Sequence, residues 1–382
     1  MRNLVILFLL FNCCAAYAGN GIPISKIDCD TIGTELSLAF KLWQESRTRE
    51  ALNEIENKLK ADSSLIQQAA VITGGNYHLI RLTDNILADR VGGFSPSGTR
   101  LVYSQDTFTV RLDDGIFDWV DQRNTGIAYY DFETGKETII DSKGVDASKP
   151  RFQSDSCFFY IAGKKSSFDI SAPMTLILYN LNNGTSTECF PLYTQYYCPY
   201  EDGVVFYDGS EGAIVMKDFK DLSQKVLYDN YGFLNYRRPL GLMRNFSAGD
   251  DIIMFQAGFS ASGVRIYSIS PEGGTVRIMS DRQITWNKNA GFYPAAVDTN
   301  EFAYLLDGKT GIDIYYHLQN KDCRLTYDGG DKNYLTISSD GTKVAYSYKS
   351  PEQNVESYEI FILDFSRSAD AKDIMYRFKV LQ

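Results

Sequence analysis

Few residues in this sequence have the types and spacing that enzyme chemistry requires. The stretches "GFSPSG" and "GFSASG" resemble a nucleophile elbow, but neither has the G-x-S-x-G spacing, and both lie among β-type runs. Only two histidines occur and no C-x-x-C, so a zinc site has few ligands to draw on. No phosphate loop, H-E-x-x-H motif or EF-hand loop is present. We therefore expect no catalytic residue of these classes, no metal and no cofactor.

Carboxylates are the chemistry that stays open. The chain has 48 Asp and Glu residues, and a pair of them at the right separation would suffice for glycoside cleavage. The Asp-Gly stretches "YDGGDKN" and "DGSEG" offer oxygens to a hard cation, although such stretches are typical of ordinary turns. The formal net charge of −10 disfavours nucleic acid as a partner.

The N-terminus has the pattern of a secretory signal. Arg2 precedes an apolar run from Leu4 to Phe11, and Ala16-Tyr17-Ala18 matches a small-x-small cleavage site. We predict cleavage after Ala18 and a periplasmic or secreted protein of the cell envelope, with lipid anchoring at Cys13 as the alternative. The apolar run is too short to cross a bilayer, and no later run is long enough, so no transmembrane segment is expected.

Five cysteines follow the predicted cleavage site. An exported protein can form disulfides, but an odd number at irregular spacing matches no disulfide-rich framework. Cys189 and Cys198 are close in sequence and form the one pair that we single out as a candidate disulfide.

The segment before the β-rich part is helical in pattern. Apolar residues recur at helical spacing between Glu35 and Val71, with a break near 46–49 and Gly74-Gly75 at the end. We predict two helices, similar to a single tetratricopeptide-type hairpin, within a cap at 19–76. This cap either packs on the larger domain or offers a groove to a partner.

The rest of the chain, 77–382, repeats one unit. "GGFSPSGTRLVYS" at 92–104 recurs as "LTISSDGTKVAYS" at 335–347, and four weaker copies lie between them. A second pair of short β-type runs follows most copies, giving four strands per unit. Such a sheet cannot bury both faces alone, so the pattern predicts an all-β domain, a six-bladed β-propeller of four-stranded antiparallel blades.

These repeated segments resemble the TolB-like propeller repeats, whose blades carry an "SPDG" turn followed by an apolar run and, later in the blade, the sequence "rLT". "GGFSPSGTRLVYS" and "LTISSDGTKVAYS" match this pattern best, and "IRLTD" and "CRLTYD" match its later strands. The resemblance implies that an extra strand completes the last sheet, either "HLIRLTD" before blade one or "DIMYRFKV" near the C-terminus. TolB itself has an α/β domain before its propeller, which this chain lacks, so the resemblance does not carry TolB's role in the envelope.

The loops before the innermost strands lie together at one mouth of the channel that the propeller implies. They are rich in Tyr, Trp and Arg, the residue types that dominate binding hot spots. Our candidate partner-binding residues are Asp89, Arg90, Lys149, Tyr196, Tyr197, Tyr236, Arg237, Arg238, Trp286, Lys288, Lys332 and Tyr334.

Two functions follow from these observations. The first is a non-enzymatic, monomeric scaffold that binds an exported or envelope protein or peptide at the channel mouth. The alternative is a propeller that binds or cleaves carbohydrate, as a lyase or hydrolase, with channel carboxylates and aromatic rings.

Overall fold

The computed structural model describes a chain with two short helices followed by strands. The described residues are 36–44, 48–65, 69, 77–85, 87–113, 116–140, 146–163, 174–229, 242–259, 263–279, 293–307, 311–318, 321–326, 330–349, 357–367 and 369. The predicted signal sequence, Cys13 and Cys29 therefore lie outside them. Helices α1 (Ser37–Gln44) and α2 (Thr48–Ala61) occupy the region of helical periodicity, and a 3-10 turn follows at Ser63–Leu65. Within these described parts, no helix is long and apolar enough to span a membrane.

The strands form six four-stranded antiparallel sheets, which are the blades of a β-propeller. Within blades one to five the strands pair in chain order, so each blade is a meander whose first strand is innermost. The predicted fold class is thus confirmed. The first three blades consist of β2 (Ala88–Phe94), β3 (Arg100–Asp113), β4 (Ile116–Asp131), β5 (Lys136–Ile140); β6 (Asp146–Ser154), β7 (Cys157–Gly163), β8 (Met174–Asn180), β9 (Thr185–Leu192); and β10 (Tyr197–Tyr200), β11 (Gly203–Asp208), β12 (Ala213–Asp218), β13 (Gln224–Asp229).

The other three blades follow the same plan, and the last is completed from the N-terminal side. Their strands are β14 (Leu242–Ala248), β15 (Ile253–Phe259), β16 (Gly263–Ile269), β17 (Arg277–Ile278); β18 (Ala295–Ala296), β19 (Glu301–Asp307), β20 (Ile312–Leu318), β21 (Lys321–Arg324); and β22 (Asp331–Ile337), β23 (Lys343–Lys349), β24 (Glu359–Asp364) with β1 (His78–Arg81).

Strand β1 closes the ring. It pairs antiparallel with β24, so that the first strand after the helices is the outermost strand of blade six. The guanidinium of Arg81 donates to both carboxylate oxygens of Glu359, at 2.6 Å each, and so fastens β1 to its neighbour. "HLIRLTD" is therefore the closing segment, and "DIMYRFKV" lies outside the described residues.

The repeated segments "SPSG" and "SSDG" form the turns between the innermost and second strands of blades one and six. Gly98 and Gly341 adopt positive φ values of 69° and 68°, which a residue without Cβ does at no steric cost. The turns have the same hydrogen bonds, because the amides of Ser95 and Ser338 donate to the carbonyls of Arg100 and Lys343. The repeat therefore specifies architecture.

Apolar clusters between neighbouring blades form the core. The second strand of each blade carries fully buried side chains, among them Tyr103, Phe159, Phe255, Tyr304 and Tyr346. Adjacent blades share these clusters: one contains residues of blades two and three, and another contains residues of blades three and four. Burial between blades therefore holds the ring together and leaves the innermost strands to line a channel.

The candidate disulfide is not formed in the structure. Cys189 and Cys198 are both free thiols. Cys189 contacts the cluster between blades two and three, whereas Cys198 belongs to the cluster between blades three and four. The two residues are close in sequence, but β9 ends the outside of one blade and β10 begins the inside of the next, so their thiols serve different packing surfaces.

Candidate binding site in the central channel

Irregular backbone marks the innermost strands at one level of the channel. In blades two, four and six the pairing of the first strand with the second shifts by one residue, at the steps Ser148/Arg151, Arg244/Ser247 and Asn333/Thr336. A shift of this kind is a β-bulge, which bends a strand and re-aims its side chains. Blade one has the same shift between Val91 and Gly93.

Three of these bulges contain a residue that is not glycine in the left-handed region. Lys149, Asn245 and Tyr334 have φ values of 55°, 52° and 54°. This conformation costs of the order of 1–3 kcal/mol for such residues and persists only where the surrounding structure enforces it. Its recurrence in alternate blades indicates that the channel geometry is built at the expense of local backbone energy.

The bulged region brings together one side chain from each blade. We call this set the channel ring, and it comprises three cations and three tyrosines. Its members are Arg90, Lys149, Tyr196, Arg244, Tyr293 and Tyr334.

Contacts between cations and aromatic rings link the members of the channel ring. The Lys149 ammonium lies 4.2 Å from the centre of the Tyr334 ring and 6.0 Å from that of Tyr196. The Arg244 guanidinium lies 5.7 Å from the Tyr196 ring, and that of Arg90 lies 5.5 Å from the Tyr334 ring. The rings of Tyr293 and Tyr334 are 5.2 Å apart. These distances are within the range of cation–π and aromatic contacts, so the six blades meet at one point.

Positive charge dominates at this point. Arg151 also lies here, since its charge acts on Tyr293 and Tyr334 across the channel as well as on Tyr197. The carboxylate of Asp106 is the counter-charge to Arg90, at 2.8 Å. Among the described residues, no carboxylate lies within ion-pair distance of the Lys149 ammonium or the Arg151 guanidinium.

The titration of Lys149 reflects this crowding. Burial lowers its pKa to about 7, and the neighbouring charges of Arg90 and Arg151 act in the same direction. Burial also lowers the pKa of Arg151. A half-buried cation without a carboxylate partner is unfavourable, and an anion bound between Lys149 and Arg151 would relieve that cost.

The candidate partner-binding residues fall into three groups by their position in the structure. Arg90, Lys149, Tyr196 and Tyr334 come together in the channel ring. Five candidates lie outside the described residues: Tyr236, Arg237, Arg238, Trp286 and Lys288.

Three candidates are buried in contacts between strands or blades and are not available to a partner. Asp89 is fully buried and accepts a hydrogen bond from Asn85 at 2.9 Å. The buried hydroxyl of Tyr197 donates to the Lys149 carbonyl at 2.7 Å, which joins blade three to blade two. Lys332 is also fully buried.

The ammonium of Lys332 donates to the Ile312 carbonyl of blade five at 2.9 Å and lies 5.2 Å from the centre of the Tyr348 ring. Asp89, Tyr197 and Lys332 are thus buried in the packing between elements, and the structure does not bring them into the channel ring.

Three residues of the site were not predicted from the sequence, because the candidates were taken from the loops before the innermost strands. Arg151 and Arg244 belong to innermost strands, and Tyr293 stands two residues before the short strand β18. A signal was present in the repeats. When the six copies are aligned, Cys198, Phe246 and Ala295 occupy the position of Phe94 in the first copy, and Tyr196, Arg244 and Tyr293 each lie two residues before that position. Such a column of Tyr and Arg marks a channel position.

A funnel leads from this level to the opposite end of the channel, where the hairpin turns are. Its cavity volume is about 370 Å³, and innermost segments of all six blades contribute to its wall. Arg151, Glu201 and Asp250 are its charged lining residues among those that the structure describes. In the described ranges no group of three His, Cys, Asp or Glu side chains able to hold a metal occurs.

Solved structures with a similar fold include proteins of different kinds. The oligogalacturonate lyase from Vibrio parahaemolyticus is 11% identical, with a TM-score of 0.45 over 75% of this chain and 93% of that one. TolB from Acinetobacter baumannii is 14% identical, with a TM-score of 0.43 over 71% of this chain and 68% of its own.

The propeller domain of the Trilobed protease from Pyrococcus furiosus is 10% identical, with a TM-score of 0.47 over 77% and 99% of the two chains. No protein-family model and no curated protein matches the chain. TolB is thus among the similar structures, and the likeness concerns the fold alone.

Proposed function

We propose that this protein is an exported, non-enzymatic binding propeller that holds a segment of an envelope or secreted partner protein in its channel. The observation that carries the proposal is the channel ring. Six blades contribute one cation or one tyrosine each, and these side chains contact one another where the channel-lining strands are bulged. Tyr and Arg combine large contact area with directed polar groups, which is why they dominate binding hot spots.

The charge of the ring indicates the character of the partner. The chain has a net charge of −10, yet Lys149 and Arg151 have no carboxylate partner among the described residues. A local excess of positive charge inside low-dielectric walls attracts an anionic group and strengthens its binding. The partner segment therefore carries a carboxylate that lies against these cations.

An acidic glycan is the second candidate. The tyrosine rings of Tyr293 and Tyr334, 5.2 Å apart and beside cations, offer flat apolar surfaces of the kind on which sugar rings stack. This function predicts binding or turnover of a uronic-acid polymer by the purified protein.

Crosslinking in the cells that produce the protein tests the first function. The tagged wild-type chain and a Lys149→Gln/Tyr334→Leu variant are crosslinked, and joined peptides are identified by mass spectrometry. We expect one recurrent exported partner with wild type and a loss of at least tenfold in its yield with the variant. Lys217→Gln is the matched control, because Lys217 also lies over an aromatic ring, that of Phe190 at 4.8 Å, but outside the channel. Equal partner yields from the wild type and both variants would contradict the function.

A further inference from the structure

The funnel beyond the channel ring has a directional distribution of charge. Arg151 lies in the middle of β6 and lines the inner part, where its Cδ is 3.7 Å from the position that a Cβ on Gly93 would take. Glu201 and Asp250 are exposed and lie in the turns that follow β10 and β14, at the open end. A ligand that enters by the funnel thus passes two acids before it reaches a cation.

This order of charges distinguishes between classes of anion. A polyanion, such as an acidic glycan or a polyphosphate, places its second and third charges beside Glu201 and Asp250 when its first reaches Arg151. Like charges so placed repel each other, which disfavours binding. A chain that has a single anion at its end, followed by neutral or cationic groups, avoids this repulsion. Its anion lies beside Arg151, and its other groups lie beside Glu201 and Asp250.

The size of the funnel and its charges suit the end of a polypeptide as that chain. Among the described residues each innermost strand pairs with one strand of its sheet, and on its other edge some amides are already bonded to a neighbouring blade, as Val91 is to the Ser347 hydroxyl and Ala296 to the Ser247 hydroxyl. Recognition of the chain therefore rests on its terminal carboxylate and on the side chains of the funnel wall. A cavity of about 370 Å³ is at the lower end of the volume range of small-ligand sites, which suits a few residues and excludes a folded domain.

We infer that the funnel receives the C-terminal residues of a partner polypeptide, with the terminal carboxylate bound by Arg151 beside Lys149 of the channel ring. The inference rests on the proposed function, that the channel binds a partner protein, and adds the end of the partner and the face by which it enters. The face is the hairpin-turn end of the propeller, opposite to the loops that precede the innermost strands.

Two peptide libraries test this inference with the purified protein. Both consist of six-residue peptides with a biotin at the N-terminus and random sequence at the last four positions; one has free C-terminal carboxylates and the other C-terminal amides. We expect retention by the acid library and at least a tenfold preference for the tightest acid peptide over its amide, as a charge-assisted pair implies. Arg151→Gln removes this preference, Arg151→Lys keeps part of it, and Arg277→Gln, at an exposed arginine of β17, leaves it unchanged.

The rim acids provide a second readout. Glu201→Gln/Asp250→Asn is expected to raise the affinity for an oligogalacturonate at least threefold and to leave the acid peptide bound. Equal retention of acid and amide peptides, or tighter binding of the oligogalacturonate than of any peptide by wild type, overturns the inference. If acid and amide peptides are retained equally, the proposed function still holds provided that the crosslinked partner is lost with Lys149→Gln/Tyr334→Leu. If the yield of that partner is unchanged as well, the inference and the proposed function both fail.

Discussion

Lys149 and Tyr334 join blades two and six across the channel, with 4.2 Å between the ammonium and the centre of the ring. Blade one separates these blades in the ring order, so the contact spans the channel and not a blade interface. Both residues have positive φ and lie at bulges. Strained backbone in two different blades therefore positions the two side chains of one contact. The channel ring thus depends on specific backbone geometry in more than one blade.

The first prediction concerns the pH dependence of anion binding at Lys149. Because its pKa is lowered to about 7, the ammonium is protonated below that pH and loses its charge above it. We expect affinity for a carboxylate peptide to fall several-fold between pH 6 and pH 8.5, as a cation near the ligand is lost. Isothermal titration at the two pH values measures this.

Variants of Lys149 sharpen that test. Lys149→Arg stays charged throughout the range, so its affinity is expected to be nearly independent of pH. Lys149→Gln is expected to be weak at both pH values. A wild-type affinity that is the same at pH 6 and pH 8.5 would show that this ammonium does not contribute.

The second prediction concerns Asp89 and stability. Burial raises the pKa of Asp89 to about 6, from 3.8 in the unfolded chain. Between about pH 4 and 6 the Asp89 carboxyl is therefore protonated in the native state and ionised in the unfolded state. The free energy of unfolding falls as the pH rises through this window. The shift corresponds to up to about 3 kcal/mol, fully expressed above pH 6.

Asp89→Asn cannot ionise and is expected to remove this slope. Guanidinium unfolding at pH 4.5 and pH 7.5 measures it: relative to wild type, the variant gains stability at the higher pH. Glu211→Gln, at an exposed acid, serves as the control. The same slope in wild type and Asp89→Asn would assign the pH dependence to another group.

The third prediction concerns Gly92, at the bulge of blade one. A Cβ at this position would lie 2.3 Å from the Pro150 carbonyl oxygen and 2.7 Å from that of Val102. Both are backbone atoms, so Gly92→Ala must displace blade two or β3, at about 1–3 kcal/mol of unfolding free energy. Gly126→Ala is the control, because nothing lies within 4 Å of its Cβ position. Equal unfolding midpoints for the two variants would contradict the close approach of blades one and two.

The sequence predicts the blades because each hairpin turn and apolar run has its own local signal. "SPSG" at 95–98 and "SSDG" at 338–341 both become turns with a left-handed glycine, as their residue types require. The need for a closing strand also follows, since an open sheet edge requires one, but the choice of "HLIRLTD" over "DIMYRFKV" comes from the pairing of β1 with β24 in the structure.

The channel ring could be predicted only in part, because bulges change which residues share a face. Lys332 and Tyr334 are two residues apart, and regular alternation would place both on one side of β22. The positive φ of Tyr334 interrupts this alternation: Tyr334 lies in the channel, whereas Lys332 is buried against blade five. No residue type in "DKNYLTI" signals a left-handed tyrosine, so this outcome depends on the tertiary structure.

The last prediction concerns the closure of the ring by Arg81 and Glu359. The pair is bidentate, with both hydrogen bonds at 2.6 Å, and the Glu359 side chain is only 10% exposed. Arg81→Met keeps the apolar stem but leaves a mostly buried carboxylate without this partner, so we expect a loss of about 1–3 kcal/mol and easier separation of β1 from β24. Denaturant unfolding gives the free energy of unfolding, and limited proteolysis between β1 and β2 reports the separation of the strands.

Lys220→Met is the control, because it breaks an exposed ion pair with Asp202. The side chains of Lys220 and Asp202 are 62% and 60% exposed, so the variant is expected to change neither the free energy of unfolding nor the proteolysis. Equal effects of the two variants would mean that β1 is held by its backbone pairing alone.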